Sequence, residues 1–154
     1  MSIALRLGRI DERAALEDLQ RRASLMWDAY RPYLLANPDV IELPLAQLRE
    51  GRVRVAEIGG AVAGFAALLL PKGGVCELDG LFVEPDLWGQ GVGRALIGDA
   101  LTCARAQGAA TLETVANPRA EDFYKRLGFT VIGQAQTQFG PANRMRISAF
   151  SGQT

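Results

Sequence analysis

Apolar and polar residues alternate at the start of the chain. Ile3, Leu5 and Leu7 interleave with Ala4, Arg6 and Gly8, so residues 3–9 read as a strand with one buried face. From Asp11, a suitable N-cap, the period lengthens to three and four, with Ala15, Leu19, Ala23, Met26 and Tyr30 on one stripe until Pro32. This predicts a long amphipathic first helix. Asn37-Pro38-Asp39 signals a turn, and residues 45–50, closed by Gly51, suit a short second helix. Val53–Ile58 and residues 61–70 flank Gly59-Gly60, a pair that accommodates the positive φ of hairpin turns, so two antiparallel strands are expected. After a turn at 71–74, Val75–Val83 is a further strand.

The pattern then changes. Val92, Leu96, Ala100 and Ala104 make one apolar face over residues 92–107, Arg94, Thr102 and Arg105 point elsewhere, and Gly108 supplies a stop. The β-rich run 110–115 follows. A strand, a helix and a strand in this order place the two strands parallel, through a crossover. A helix over 119–127, ended by Gly128, and strands over 129–134 and 144–150 around a Gly140-Pro141 turn complete the chain. No repeat, linker or low-complexity tract interrupts it, and 154 residues suit one domain spanning 1–154.

Composition narrows the chemistry. Seventeen Lys plus Arg balance seventeen Asp plus Glu, so no net field recruits nucleic acid or an anionic membrane. No apolar run is long enough to span a bilayer, and the N-terminal residues lack the charged-then-apolar order of a signal peptide, so a soluble cytoplasmic protein is the expectation, monomeric or homodimeric. Cys76 and Cys103 stand far apart in apolar segments and read as buried free thiols. Histidine is absent, which excludes Ser-His-Asp and Cys-His catalysis and most zinc sites. Acid–base work falls to carboxylates, Tyr, Lys, Cys or water.

The stretch most suggestive of a ligand lies between the Val75–Val83 strand and the helix that follows. There Gly89, Gly91 and Gly93 alternate with Gln90 and Val92. Glycines let a ligand approach the backbone, and the free N–H groups of a first helical turn attract phosphate. The spacing is neither G-x-G-x-x-G nor that of a nucleoside-triphosphate loop. It resembles the acyl-CoA signature Gln/Arg-x-x-Gly-x-Gly/Ala of the GCN5-related N-acetyltransferases (GNAT), with Trp88 standing where Gln or Arg is usual. A second stretch, Asn117-Pro118-Arg119-Ala120-Glu121-Asp122-Phe123-Tyr124 followed by Gly128-Phe129, is similar to that family's Asn-x-x-Ala-x-x-x-Tyr and Gly-Phe. The element order resembles the family's fold over essentially the whole chain. It implies an α+β (αβα) fold, a mixed and mostly antiparallel central sheet with two splayed parallel central strands, and about four flanking helices.

The resemblance also implies a site. The main chain of Leu81, Phe82 and Val83 would pair with the pantetheine amides of acetyl-CoA, residues Gly89, Gln90, Gly91, Val92, Gly93 and Arg94 would cradle its pyrophosphate, and Asn117 would hydrogen-bond its arm. An amine would attack the thioester directly through a tetrahedral intermediate, with no metal. Tyr124 resembles the family tyrosine that protonates the departing thiolate; its other reading is packing between helix and sheet. For the base, Glu77 has the spacing of a family strand glutamate, and Asp79 points to the same face. Either could instead be a solvent-facing carboxylate. Glu113 is a third candidate, one residue out of step with the glutamate of another branch. An alternative is a module that binds acyl-CoA without transfer, as a sensor. The amine acceptor is not identified; it would sit near residues 27–33, the Gly73-Gly74 turn and residues 139–143, and Trp27, Tyr30 and Tyr33 read as core and lid packing or as pocket lining.

Overall fold

The computed structural model describes residues 2–152. Met1, Gln153 and Thr154, the ends of the expected 1–154 domain, lie outside the described residues. The strands are β1 (Ile3–Leu7), β2 (Val53–Ile58), β3 (Ala61–Leu68), β4 (Val75–Val83), β5 (Thr111–Ala116), β6 (Thr130–Thr137) and β7 (Gly140–Ser148). The helices are α1 (Arg13–Ser24), α2 (Arg31–Ala36), α3 (Leu45–Arg49), α4 (Val92–Ala106) and α5 (Glu121–Arg126). The strand order is β1-β2-β3-β4-β5-β7-β6. β4 and β5 are parallel, as the crossover predicts, while β1–β2, β2–β3, β5–β7 and β6–β7 are antiparallel. The chain gathers into two units, Met1–Leu68 with Gly80–Asp99 and Leu69–Asp79 with Ala100–Thr154.

In the first unit Leu16 and Leu19 of α1 meet Leu43, Leu48, Val53, Val55 and Phe65, all essentially removed from solvent. Each such side chain contributes on the order of 1.5–3 kcal/mol of burial. The expected long first helix is two helices. α1 ends at Ser24, where Met26 N to Ala23 O (3.3 Å) and Trp27 N to Ser24 O (3.1 Å) replace the α-type ladder with tighter bonds. Pro32 therefore opens α2 instead of closing α1: a proline lacks only an N–H that the first turn leaves unpaired anyway. The buried stripe is Leu16, Leu19 and Ala23; Ala15 is exposed. Nor does Asp11 cap α1. It sits in a short 3-10 turn, and Glu12 takes the Arg9 N–H at 2.8 Å and the Arg6 guanidinium at 2.7 and 3.0 Å, which holds the Glu12 carboxyl below its usual range.

β2 is tied to the first half of α4 by a two-pronged pair. Arg54 Nε reaches Asp99 Oδ2 at 2.7 Å and Nη2 reaches Oδ1 at 3.1 Å, with the side chains 19% and 11% exposed. Replacing Asp99→Asn removes the carboxylate charge from this two-pronged pair at a largely buried position. It is expected to lower stability by about 1.5–3 kcal/mol. A urea midpoint equal to the parent's would show the pair to be neutral.

In the second unit Cys76, Leu78, Leu112, Phe129, Met145 and Ile147 are buried. Among the described residues neither cysteine forms a disulfide; Cys76 is fully buried and Cys103 only half so. The last hairpin turns at Gln138-Phe139 and not at Gly140-Pro141, which already belong to β7. Pro141 is tolerated because it lies beyond the end of β5: it faces only Gln136 of β6, and pairing with β5 begins at Asn143↔Ala116.

Candidate active site

β4 leads through a 3-10 turn, Pro85–Leu87, into Trp88, Gly89, Gln90 and Gly91, and α4 follows at once. Gly89 and Gly91 have φ of +81° and +87°, a region L-residues rarely adopt, and a Cβ built on either meets nothing within 4 Å. The space before the loop is open. Ala95 N to Gly91 O, 3.0 Å, is the first bond of the helix, so the N–H groups of Val92, Gly93 and Arg94 have no acceptor within α4. The Val92 side chain is buried, leaving its main chain as the only group it can offer a ligand, while Arg94 is exposed on the same turn. Gln90 Nε2 approaches Asp86 O at 3.5 Å. Donors, open space and the positive end of a fifteen-residue helix make this loop fit a diphosphate.

Before the loop, the backbone of β4 is partly committed. Trp88 folds back, its indole Nε1 donating to Val83 O at 2.9 Å, and its ring stacks on Trp27 at 5.2 Å and 25°. Arg22 grips Glu84 through two hydrogen bonds of 2.8 and 2.9 Å, and this holds the Glu84 carboxyl below its usual range. Phe82 turns its ring onto Phe65, 5.3 Å away, and its carbonyl lies 2.7 Å from where a Cβ of Gly64 would stand, so β3 requires glycine there. Of the three strand residues expected to meet a ligand, Phe82 is chiefly core. Val83 has a carbonyl already accepting from Trp88, and Leu81 is half-buried. The role of Trp88 was invisible in the sequence beyond its departure from the family pattern.

In the second unit the parallel ladder holds Val75↔Thr111, Cys76↔Leu112 and Glu77↔Glu113. One residue further on a side chain takes over, Thr114 Oγ1 donating to Leu78 O at 3.0 Å. Glu77 Oε1 accepts from Arg144 Nη1 at 3.0 Å; Glu113 accepts from Arg146 Nε at 3.3 Å and lies 3.8 Å from the same Arg144 nitrogen. Glu77 and Glu113 thus stand side by side, both engaged by arginines of β7. Asp79, two residues on, is exposed. Tyr124 is 7% exposed, set edge-on to Phe123 (5.2 Å) and Phe129 (5.1 Å). Burial pushes its hydroxyl up to about 12. Asn117 Oδ1 accepts from Arg119 N at 3.0 Å, starting the Pro118–Ala120 turn, so its Nδ2 donor is what it would present to a ligand.

The model of the acetyltransferase (GNAT) family matches residues 14–129, a span holding the glycine loop, Asn117 and Tyr124. The chain belongs to the GNAT family. Among curated GNAT relatives, an uncharacterised N-acetyltransferase of Methanocaldococcus jannaschii is 39% identical over 84 residues, covering 49% of this chain and 37% of that protein. The peptidyl-lysine N-acetyltransferase YjaB of Salmonella typhimurium is 42% identical over 60 residues, 39% of this chain and 40% of its own length. The chain thus matches well under half the length of either. In fold, it is similar to a PaiA N-acetyltransferase of Thermoplasma acidophilum solved with coenzyme A, with a TM-score of 0.77, 18% identity, and 96% and 99% of the two chains covered. Among the described residues no helix is long and apolar enough to cross a membrane.

Proposed function

We propose that this GNAT chain transfers an acetyl group from acetyl-CoA to a primary amine. The observation that carries the reading is the open loop of Gly89 and Gly91 on the N-terminus of α4, inside the matched span. Acetyl-CoA supplies an activated thioester, and the chain's own groups do the rest. The N–H groups of residues 89–94 hold the pyrophosphate, with Arg94 adding charge. Leu81 and the N–H of Val83 pair with pantetheine amides, and Asn117 Nδ2 donates to the arm. Tyr124 gives a proton to the leaving thiolate. Glu77 or Asp79 takes the proton from the attacking ammonium; of the two, Asp79 is the more exposed, and Glu77 is held by Arg144.

The relative named for peptidyl-lysine makes lysine side chains of peptides the first acceptors to try. The test is thiol release from acetyl-CoA over lysine peptides, peptide N-termini, free amino acids, small amines and aminoglycosides. Amine-dependent release in at least one class supports the enzyme. Saturable acetyl-CoA binding without release in any class would favour a binding module instead.

A further inference from the structure

In the second unit, the rung Glu77↔Glu113↔Arg146 crosses β4, β5 and β7, and Asp79 and Arg144 stand two residues away on the same face. The face is polarised: its carboxylates are on β4 and β5, its guanidinia on β7. The two signs meet differently here than elsewhere in the chain. Arg6 with Glu12, Arg22 with Glu84 and Arg54 with Asp99 each close as a fork of two hydrogen bonds. Arg144 reaches Glu77 through one, Nη1 to Oε1 at 3.0 Å, and Arg146 reaches Glu113 through one, Nε to Oε2 at 3.3 Å. Among the described residues Glu77 Oε2 and Arg144 Nε and Nη2 make no hydrogen bond, and both side chains are 36% exposed. A carboxylate accepts at both oxygens and a guanidinium has five N–H donors, so each partner keeps a usable edge beside the other's. Resting on the reading of Glu77 as the base, we propose that this open pair is the acceptor subsite and that the acceptor is a zwitterion, a free α-amino acid. Its ammonium binds Glu77 Oε2 and its carboxylate the outer edge of Arg144. The two edges belong to groups joined at 3.0 Å, which suits an amine and a carboxylate borne on one carbon. The side-chain amine of a peptidyl lysine has no carboxylate beside it and leaves the Arg144 edge to water. Transfer forms the N–C bond of an N-acetyl amino acid and breaks the thioester; the ammonium proton passes to Glu77, and CoA leaves as the thiol with the proton of Tyr124.

The experiment measures kcat/KM for thiol release from acetyl-CoA with each of the common α-amino acids, with the amine that lacks its carboxyl group, and with a peptide carrying an internal lysine. The parent should favour at least one amino acid over its decarboxylated amine by roughly ten- to a hundredfold, the scale of one charge-assisted hydrogen bond, with the difference mainly in KM. In Arg144→Met, with acetyl-CoA affinity as the check on folding, that ratio should fall to near one. Arg144→Lys keeps the charge without the planar fork, should give an intermediate ratio, and stands in should Arg144→Met not fold. Equal kcat/KM for every pair in the parent, or a ratio that survives loss of the Arg144 fork, overturns the inference while amine-dependent release leaves acetyl transfer standing. Transfer confined to the lysine peptide overturns it in the same way. No release with any amine would remove acetyl transfer itself, and this inference with it.

Discussion

Gly91→Asp is expected to weaken acetyl-CoA binding by about two orders of magnitude or more while leaving the protein folded. The loss of even two charged hydrogen bonds at about 1.5–3 kcal/mol each sets that scale. The aspartate adds a negative charge in front of the α4 N–H groups, where a diphosphate would have to lie, and its Cβ enters space with no atom within 4 Å. No clash opposes folding. The φ of +87° does impose strain on any L-residue, of roughly 1–2 kcal/mol. Gly91→Ala therefore serves as the companion: it carries the strain without the charge and should keep most of the affinity. Calorimetric titration with acetyl-CoA decides between them. An aspartate variant with parent affinity would remove the loop from the cofactor site.

Tyr124→Phe should leave acetyl-CoA affinity nearly intact and reduce kcat roughly ten- to a thousandfold, the usual range for loss of a general acid. Phenylalanine preserves the edge-on packing against Phe123 and Phe129 and deletes only the hydroxyl. Because burial pushes that hydroxyl up to about 12, it keeps its proton throughout the ordinary assay range. The kcat profile of the parent should accordingly show no alkaline limb from Tyr124 below about pH 11. The acidic limb reports the base. Glu77→Gln or Asp79→Asn, whichever removes it, names the group, provided the acceptor amine has a pKa well above the assay pH. If kcat survives in all three variants, none of these side chains moves a proton in the reaction.

Local signals made much of the fold legible. Gly59-Gly60 reads as a hairpin turn and adopts φ of +59° and +81°; the 3.6-residue stripe of Val92, Leu96, Ala100 and Ala104 forms α4 and stays buried. What failed was non-local or depended on which of two positions a residue would take. Pro32 is as compatible with starting a helix as with stopping one, and only the break after Ser24 decides between them. Pro141 is allowed in β7 because β5 ends too soon to need its missing N–H. The site divides in the same way. Glycines and the Asn117 and Tyr124 motif are visible in one short stretch each, whereas Arg144 lies 67 residues from Glu77 and Trp27 far before Trp88. No periodicity reports such pairs. Nor does any motif in the sequence mark Thr114, whose hydroxyl donates to Leu78 O on another strand.

The most direct test of acetyl transfer is a single turnover with enzyme, acetyl-CoA and an amine mixed at comparable concentrations and followed by mass spectrometry of acceptor and protein together. The account predicts that the acetyl group appears on the amine as free CoA accumulates, that the mass of the enzyme does not change, and that both signals collapse in Gly91→Asp. Acetyl-CoA that stays bound and unconsumed beside every class of amine would contradict it.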